Sequence, residues 1–212
     1  MSKNEEKVID AVIEEEEKTY FLPRVLAYVI DIIIVSIITA SIMMVIPQNK
    51  NYDKYVEEYK KIQTDYMDKK IDTKEYVDKS APVVYDIDYS NCASMIAEVV
   101  VFMGYFIGVQ YALKGKTLGK KLMKIKVVST KNENLTLNQI VIRALIVNSV
   151  LINLLIIGAL LFVGKDYYYY TSLGFQALEG LLVIVSLVMI LFRKDGRGLH
   201  DLCASTRVIN DK

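Results

Sequence analysis

Four apolar stretches set the terms for any fold of this chain. The first is FLPRVLAYVIDIIIVSIITASIMMVIP, Phe21 to Pro47. The second is CASMIAEVVVFMGYFIGVQYAL, Cys92 to Leu113, and the third IVIRALIVNSVLINLLIIGALLFVG, Ile140 to Gly164. The fourth is SLGFQALEGLLVIVSLVMILF, Ser172 to Phe192. Each reaches the roughly 20 residues that a helix needs to cross a hydrocarbon core about 30 Å thick. They are apolar on nearly all faces, whereas a soluble amphipathic helix carries a single stripe. The fold class expected is an all-α membrane protein with four transmembrane helices, over about 21–47, 92–113, 140–164 and 172–192. The first stretch follows about twenty mostly acidic residues and ends without a small-residue cleavage site, so it reads as a span and not as a signal peptide.

The formal charge looks featureless, with 26 Lys and Arg against 25 Asp and Glu, but it is unevenly placed. The loop after the second stretch carries Lys114, Lys116, Lys120, Lys121, Lys124, Lys126 and Lys131 against the single acid Glu133. The tail adds Arg193, Lys194, Arg197 and Arg207. The positive-inside rule puts this loop and the C-terminus in the cytoplasm. Four spans then bring the N-terminus to the same side, consistent with Lys18 and Arg24 beside the first span. A multi-pass protein of the cell (inner or plasma) membrane is expected. Beside two spans, the Lys-rich loop is expected to meet anionic lipid and not nucleic acid. Cys92 and Cys203 fall on opposite sides of the membrane and are not expected to pair.

Residues 48–91 form the remaining connection, expected as a helical extracytoplasmic insertion. Tyr52, Tyr55, Tyr59, Ile62 and Tyr66 make a short heptad-like stripe, and Asp72 followed by Glu75 reads as a capping box opening a second helix. The expected arrangement is a helical hairpin whose stripe packs on its own partner helix. Residues 1–20 are expected as an acidic cytoplasmic arm. The four tyrosines Tyr167 to Tyr170 are expected in a short outer loop as headgroup-level anchors.

Ionisable residues inside the apolar stretches carry the functional information, because a charge in hydrocarbon costs several kcal/mol unless it meets a partner or a cavity. Asp31 lies about 15 Å into the first span, with Arg24 two turns earlier on the same face. Glu98 and Glu179 lie in the outer halves of the second and fourth spans. Arg143 sits at the inner end of the third, followed by Asn148 and Asn153. Asp31, Glu98 and Glu179 are candidate transport-pathway groups or buried structural charges. Arg24 and Arg143 are their candidate electrostatic partners. Spans without a mid-helix Pro do not announce the broken helices of many transporters. GKTLGKK lacks the spacing and the final Ser or Thr of a phosphate loop. With one His, His200, neither a zinc site nor a partnered nucleophile is legible. No catalytic role, cofactor or metal is expected.

These pieces resemble the RDD family of membrane proteins. PRVLAYVIDIII supplies Pro23, Arg24, Ala27 and Asp31 in the family's first-helix pattern. GKTLGKKLMKIKVV resembles its loop after the second span, with Thr117, Gly119 and Lys120. RKDGRGLHDLCASTRVI resembles its closing motif, with Arg197, Gly198, Leu199, His200, Asp201, Thr206 and Val208, and Asp201 as the second Asp. The resemblance covers about Phe21 to Ile209, makes 21–212 the membrane domain and leaves 48–91 as an insertion. It implies a bacterial-type inner-membrane protein with a role in transport. It also implies a tail folded back beneath the helices, with STRVI pairing KIKVVST as a short strand and Asp201 pairing with Arg24 or Arg143.

The function expected is transport of a small cation or proton-coupled solute, with Arg24 as electrostatic partner of Asp31 and a homo-oligomer enclosing the path. The alternative is a non-transporting scaffold or accessory subunit whose buried charges specify assembly.

Overall fold

The computed structural model describes residues 19–47, 49–131 and 134–211. Most of the acidic arm expected over 1–20 lies outside them. Helix α1 spans Phe21–Met43. It stops short of Pro47, whose ring disfavours helical backbone in the residue before it. Helices α2, Tyr52–Met67, and α3, Thr73–Ser90, follow, then α4, Cys92–Ala112. Within α4 the stretch Gly104–Val109 is π-helical. A short helix α5, Leu118–Leu122, leads to strand β1, Ile125–Ser129. Helices α6, Leu137–Val147, α7, Val150–Phe162, and α8, Lys165–Phe192, precede the short α9, Leu199–Cys203, and strand β2, Thr206–Asn210.

Three of these helices, α1, α4 and α8, are long and apolar enough to cross a membrane. The pair α6 and α7 reaches that length only together and is bent by 67° between them. In place of the single third span expected over 140–164 the chain forms this bent pair of helices. It starts earlier, at Leu137, because Thr136 caps it: Gln139 N–H donates to Thr136 Oγ1, and Thr136 N–H donates to Gln139 Oε1 at 3.1 Å. It breaks because Ser149 has a φ of 59°, which ends the i to i−4 ladder. The break has no proline in it, so the sequence did not announce it. The fourth span also differs from the 172–192 expected. Helix α8 begins at Lys165, so Tyr167 to Tyr170 occupy its first turns and not a loop.

The described residues form two compact units. One takes those of Met1–Ile37, Phe102–Asn148 and Leu182–Lys212; the other takes those of Ile38–Val101 and Ser149–Leu181.

In the second unit the expected helical hairpin forms. Asp72 accepts from Glu75 N–H at 2.8 Å and opens α3. The stripe packs on its partner helix, with Ile62 buried, the Tyr59 and Tyr76 hydroxyls 3.2 Å apart and the Tyr66 and Tyr76 rings 4.7 Å apart. Ile152, Ile156, Ala159, Leu160 and Tyr168 form the core, against Val84, Tyr85, Met95 and Phe175. Tyr168 is fully buried and donates to Asp88 at 2.6 Å. That removes it from the expected anchor role, while Tyr167 and Tyr170 remain exposed. The Asp88 carboxyl is pushed up by burial, against the hydrogen bond from Tyr168.

The first unit contains the expected strand pair. β1 and β2 are antiparallel, with Val127 opposite Val208 and Ser129 opposite Thr206. Alternation along each strand buries Ile125, Val127 and Val208 against Ala27 of α1, Met123 and Leu135. Gln139 Nε2 donates to the Ser205 carbonyl at 2.9 Å and to Ser129 Oγ at 3.0 Å, fastening α6 to the sheet.

Candidate functional site

Two buried aspartates organise the first unit, and each is assembled from segments far apart in sequence. Asp31 is 1% exposed. Its Oδ1 accepts from Tyr105 Oη at 2.6 Å and from Gly119 N–H at 2.7 Å, and its Oδ2 accepts from Thr117 Oγ1 at 2.5 Å. The loop GKTLGKK is built for this. Thr117 is the N-cap of α5, so its hydroxyl oxygen accepts from Lys120 N–H while its proton goes to Asp31. Gly119 lies so close to α1 that a Cβ there would overlap the Ala27 carbonyl oxygen and sit 2.8 Å from Asp31 Oδ1. Tyr105 comes from the π-helical stretch of α4, and its oxygen also accepts from Leu118 N–H at 3.2 Å.

Asp201 is fully buried. Its Oδ1 accepts from Arg143 Nη1 and from Thr206 Oγ1, the latter at 3.2 Å. Its Oδ2 accepts from Gly198 N–H at 3.3 Å and lies 3.6 Å from Arg24 Nη1. Arg24 further donates to the Gly196 carbonyl at 2.6 Å and the Val208 carbonyl at 3.2 Å. Arg197 donates to the carbonyls of Thr206 and Asp201 at 2.9 and 3.2 Å. The tail is thus laced to the start of α1 and to α6.

His200 Nδ1 and Ser186 Oγ of α8 are 2.9 Å apart. Burial, then the charges of Arg143, Arg24 and Lys120, hold the imidazole well below its usual pKa, although Asp201 Oδ2 is 3.4 Å from Nε2. Lys120 lies at the same cluster. Burial lowers it to about 8, Arg143 pushes the same way, and Asp31 opposes.

Of the expected site residues, Arg24, Arg143 and Asp201 meet. Asp31 lies in the same unit with partners of its own. Arg24 pairs with Asp201 and not, as expected, with Asp31. A helical side chain leans toward the helix N-terminus, so the guanidinium reaches away from an Asp seven residues further on. Glu98 and Glu179 belong to the other unit and are half-buried. Glu179 accepts a hydrogen bond from Ser149 Oγ at the start of α7. Sequence reasoning named Thr117, Gly119, Gly198 and Thr206 without roles, and missed Tyr105. Gly104 and Gly108, which flank YFI, were the one trace of its unusual helical turn.

What the fold and the two aspartates define is a multi-pass membrane protein with two buried motif carboxylates, one met by neutral donors and the other by arginines. The chain matches the RDD family over residues 19–205 and belongs to it. No curated protein and no solved structure matches it.

Proposed function

We propose that this chain is a non-transporting membrane scaffold or accessory subunit whose buried charges specify its own assembly. One observation carries the reading: both oxygens of Asp31 and of Asp201 are occupied by internal donors. A carboxylate that accepts this many hydrogen bonds is held in one geometry and is poorly placed to exchange a cation with solvent. The reading places the protein in the cell membrane, with the Lys-rich loop and both termini cytoplasmic and 48–91 outside. The loop charge supports that orientation.

A second reading, transport of a small cation or proton-coupled solute, has one observation in its favour. Glu179 meets Ser149 at a helix break, and broken helices beside an acid recur in ion pathways. Glu98 would be its companion. Flux of protons, sodium, potassium and lithium in proteoliposomes separates the two. The scaffold reading expects no flux above empty vesicles. A cation flux that Glu179→Gln or Glu98→Gln abolishes would overturn it.

A further inference from the structure

A cavity of about 550 Å³ opens in the first unit beside the sheet. Tyr111, Lys114, Gly115, Lys126, Ser129 and Asn134 are among the residues that line it, and no carboxylate does so among the described residues. Its size falls in the range of small-molecule sites, roughly 300–1,000 Å³. Tyr111 stands at the end of the apolar helix α4 and is 55% exposed, and Ile140 on the lining belongs to α6, at the start of the next apolar helix pair. A cavity bounded by the ends of two such segments lies where hydrocarbon meets water, which is where lipid headgroups sit.

The chain shapes this cavity through a turn that side chains resist. Lys114 and Gly115 have φ values of 50° and 93°. A Cβ on Gly115 would overlap the Val127 carbonyl oxygen and come within 3.2 Å of Leu135 Cδ2. Glycine therefore lets the turn close onto β1, where Val127 N–H donates to the Gly115 carbonyl at 3.0 Å. The closure brings Lys114 from the turn and Lys126 from the strand to one hollow. Lys126 Nζ lies 3.1 Å from Asp211 Oδ1, and Lys116 Nζ lies 2.5 Å from the other oxygen. A tail carboxylate thus holds Lys126 from outside the lining residues.

We infer that this cavity is a binding site for the phosphate group of an anionic phospholipid, held by Lys114 and Lys126 with Tyr111 against the glycerol region. The ligand chemistry is a phosphodiester at the membrane boundary, and Asp211 competes for one of its two cations. The assignment does not depend on whether the chain is a scaffold or a transporter, and its test reads binding and not flux.

The test uses the full chain in nanodiscs of phosphatidylcholine, titrated with phosphatidylglycerol and followed by native mass spectrometry of retained lipid. Retention of phosphatidylglycerol over phosphatidylcholine is expected. It should weaken about 10- to 30-fold in Lys114→Gln/Lys126→Gln, from the loss of two lysines near the surface. The double change Lys121→Gln/Lys124→Gln removes the same charge from the same loop outside the cavity and should leave retention within about twofold. Asp211→Asn releases Lys126 and should tighten retention, a result that a damaged fold does not give. Equal weakening in the two double variants would reduce the effect to diffuse attraction and overturn the site. Inorganic phosphate and glycerol phosphate are the soluble arms. Binding of these that depends on Lys114 and Lys126, without preference for the diacyl lipid, would overturn the lipid assignment.

Discussion

Gly119 donates its backbone N–H to Asp31 Oδ1 at 2.7 Å across 88 positions of chain. This is a contact that a side chain on residue 119 would prevent. The loop after the second apolar stretch therefore docks on the first helix by backbone, with Thr117 beside it as both helix cap and donor.

Gly119→Ala is accordingly expected to destabilise the protein by about 3 kcal/mol, the upper range for forced overpacking. Gly158 offers the control. It has open space around it, and Gly158→Ala within helix α7 is expected to be neutral or to gain up to about 1 kcal/mol. Thermal unfolding in detergent, followed by size-exclusion chromatography, reads both. Equal melting temperatures for the two variants would sink the docking argument.

Asp31→Asn replaces an acceptor surrounded by three donors with a group that is half donor. One of Tyr105, Thr117 or Gly119 must then face an NH₂. The expected loss is about 1–3 kcal/mol, the cost of a buried polar group left unmatched. Tyr105→Phe should cost a similar amount, because Leu118 N–H loses its acceptor as well. A double-mutant cycle on the two should show coupling, since they share one hydrogen bond. Additive losses would place Tyr105 outside the network.

The Arg143 and Asp201 pair is buried, and removing one partner strands the other. Single changes to Gln and Asn are expected to cost about 3–5 kcal/mol each, with strong coupling in the double variant. The coupling between Arg24 and Asp201 should be smaller. Arg24 stands 3.6 Å away and has two backbone carbonyls to fall back on. Chemical denaturation of the three single variants and the two doubles measures this order, and the reverse order would contradict the geometry.

His200 gives the pH dependence. Burial and the neighbouring cations hold its folded pKa well below the ordinary 6.5. Between those two values the unfolded chain binds a proton that the folded chain does not, so stability rises with pH there. The contribution is complete above about 6.5 and is lost as pH falls below it. Melting temperatures measured from pH 7.5 down to pH 5 should decline, and His200→Gln should flatten the decline. Because the chain has one His, its ring resonance in NMR also reports the titration directly. A midpoint at or above 6.5 would refute the burial argument.

The parts of this fold legible in the sequence are those governed by local pattern. Apolar length announced α1, α4 and the last long helix, α8. The spacing of Tyr59, Ile62 and Tyr66 announced the hairpin, and β-branched residues in KIKVV and STRVI announced the strand pair. The parts that stayed hidden depend on direction or on a single backbone dihedral. Ser149 breaks a helix through its φ of 59° while leaving the hydropathy unchanged. Tyr168 looked like an interfacial anchor until Asp88 turned it inward.

The charges divide in the same way. The sequence by itself determined that Arg24, Asp31 and Arg143 needed partners, because an ion inside or at the end of an apolar stretch is too costly to leave alone, and the family resemblance added Asp201 in the tail. It could not assign those partners. Side-chain lean carries Arg24 away from Asp31 and toward the tail, and the close approach of Gly119 gives Asp31 neutral donors in its place. Which charge meets which is fixed by how close two backbones come and where their side chains point. Only the packed tertiary structure sets those distances.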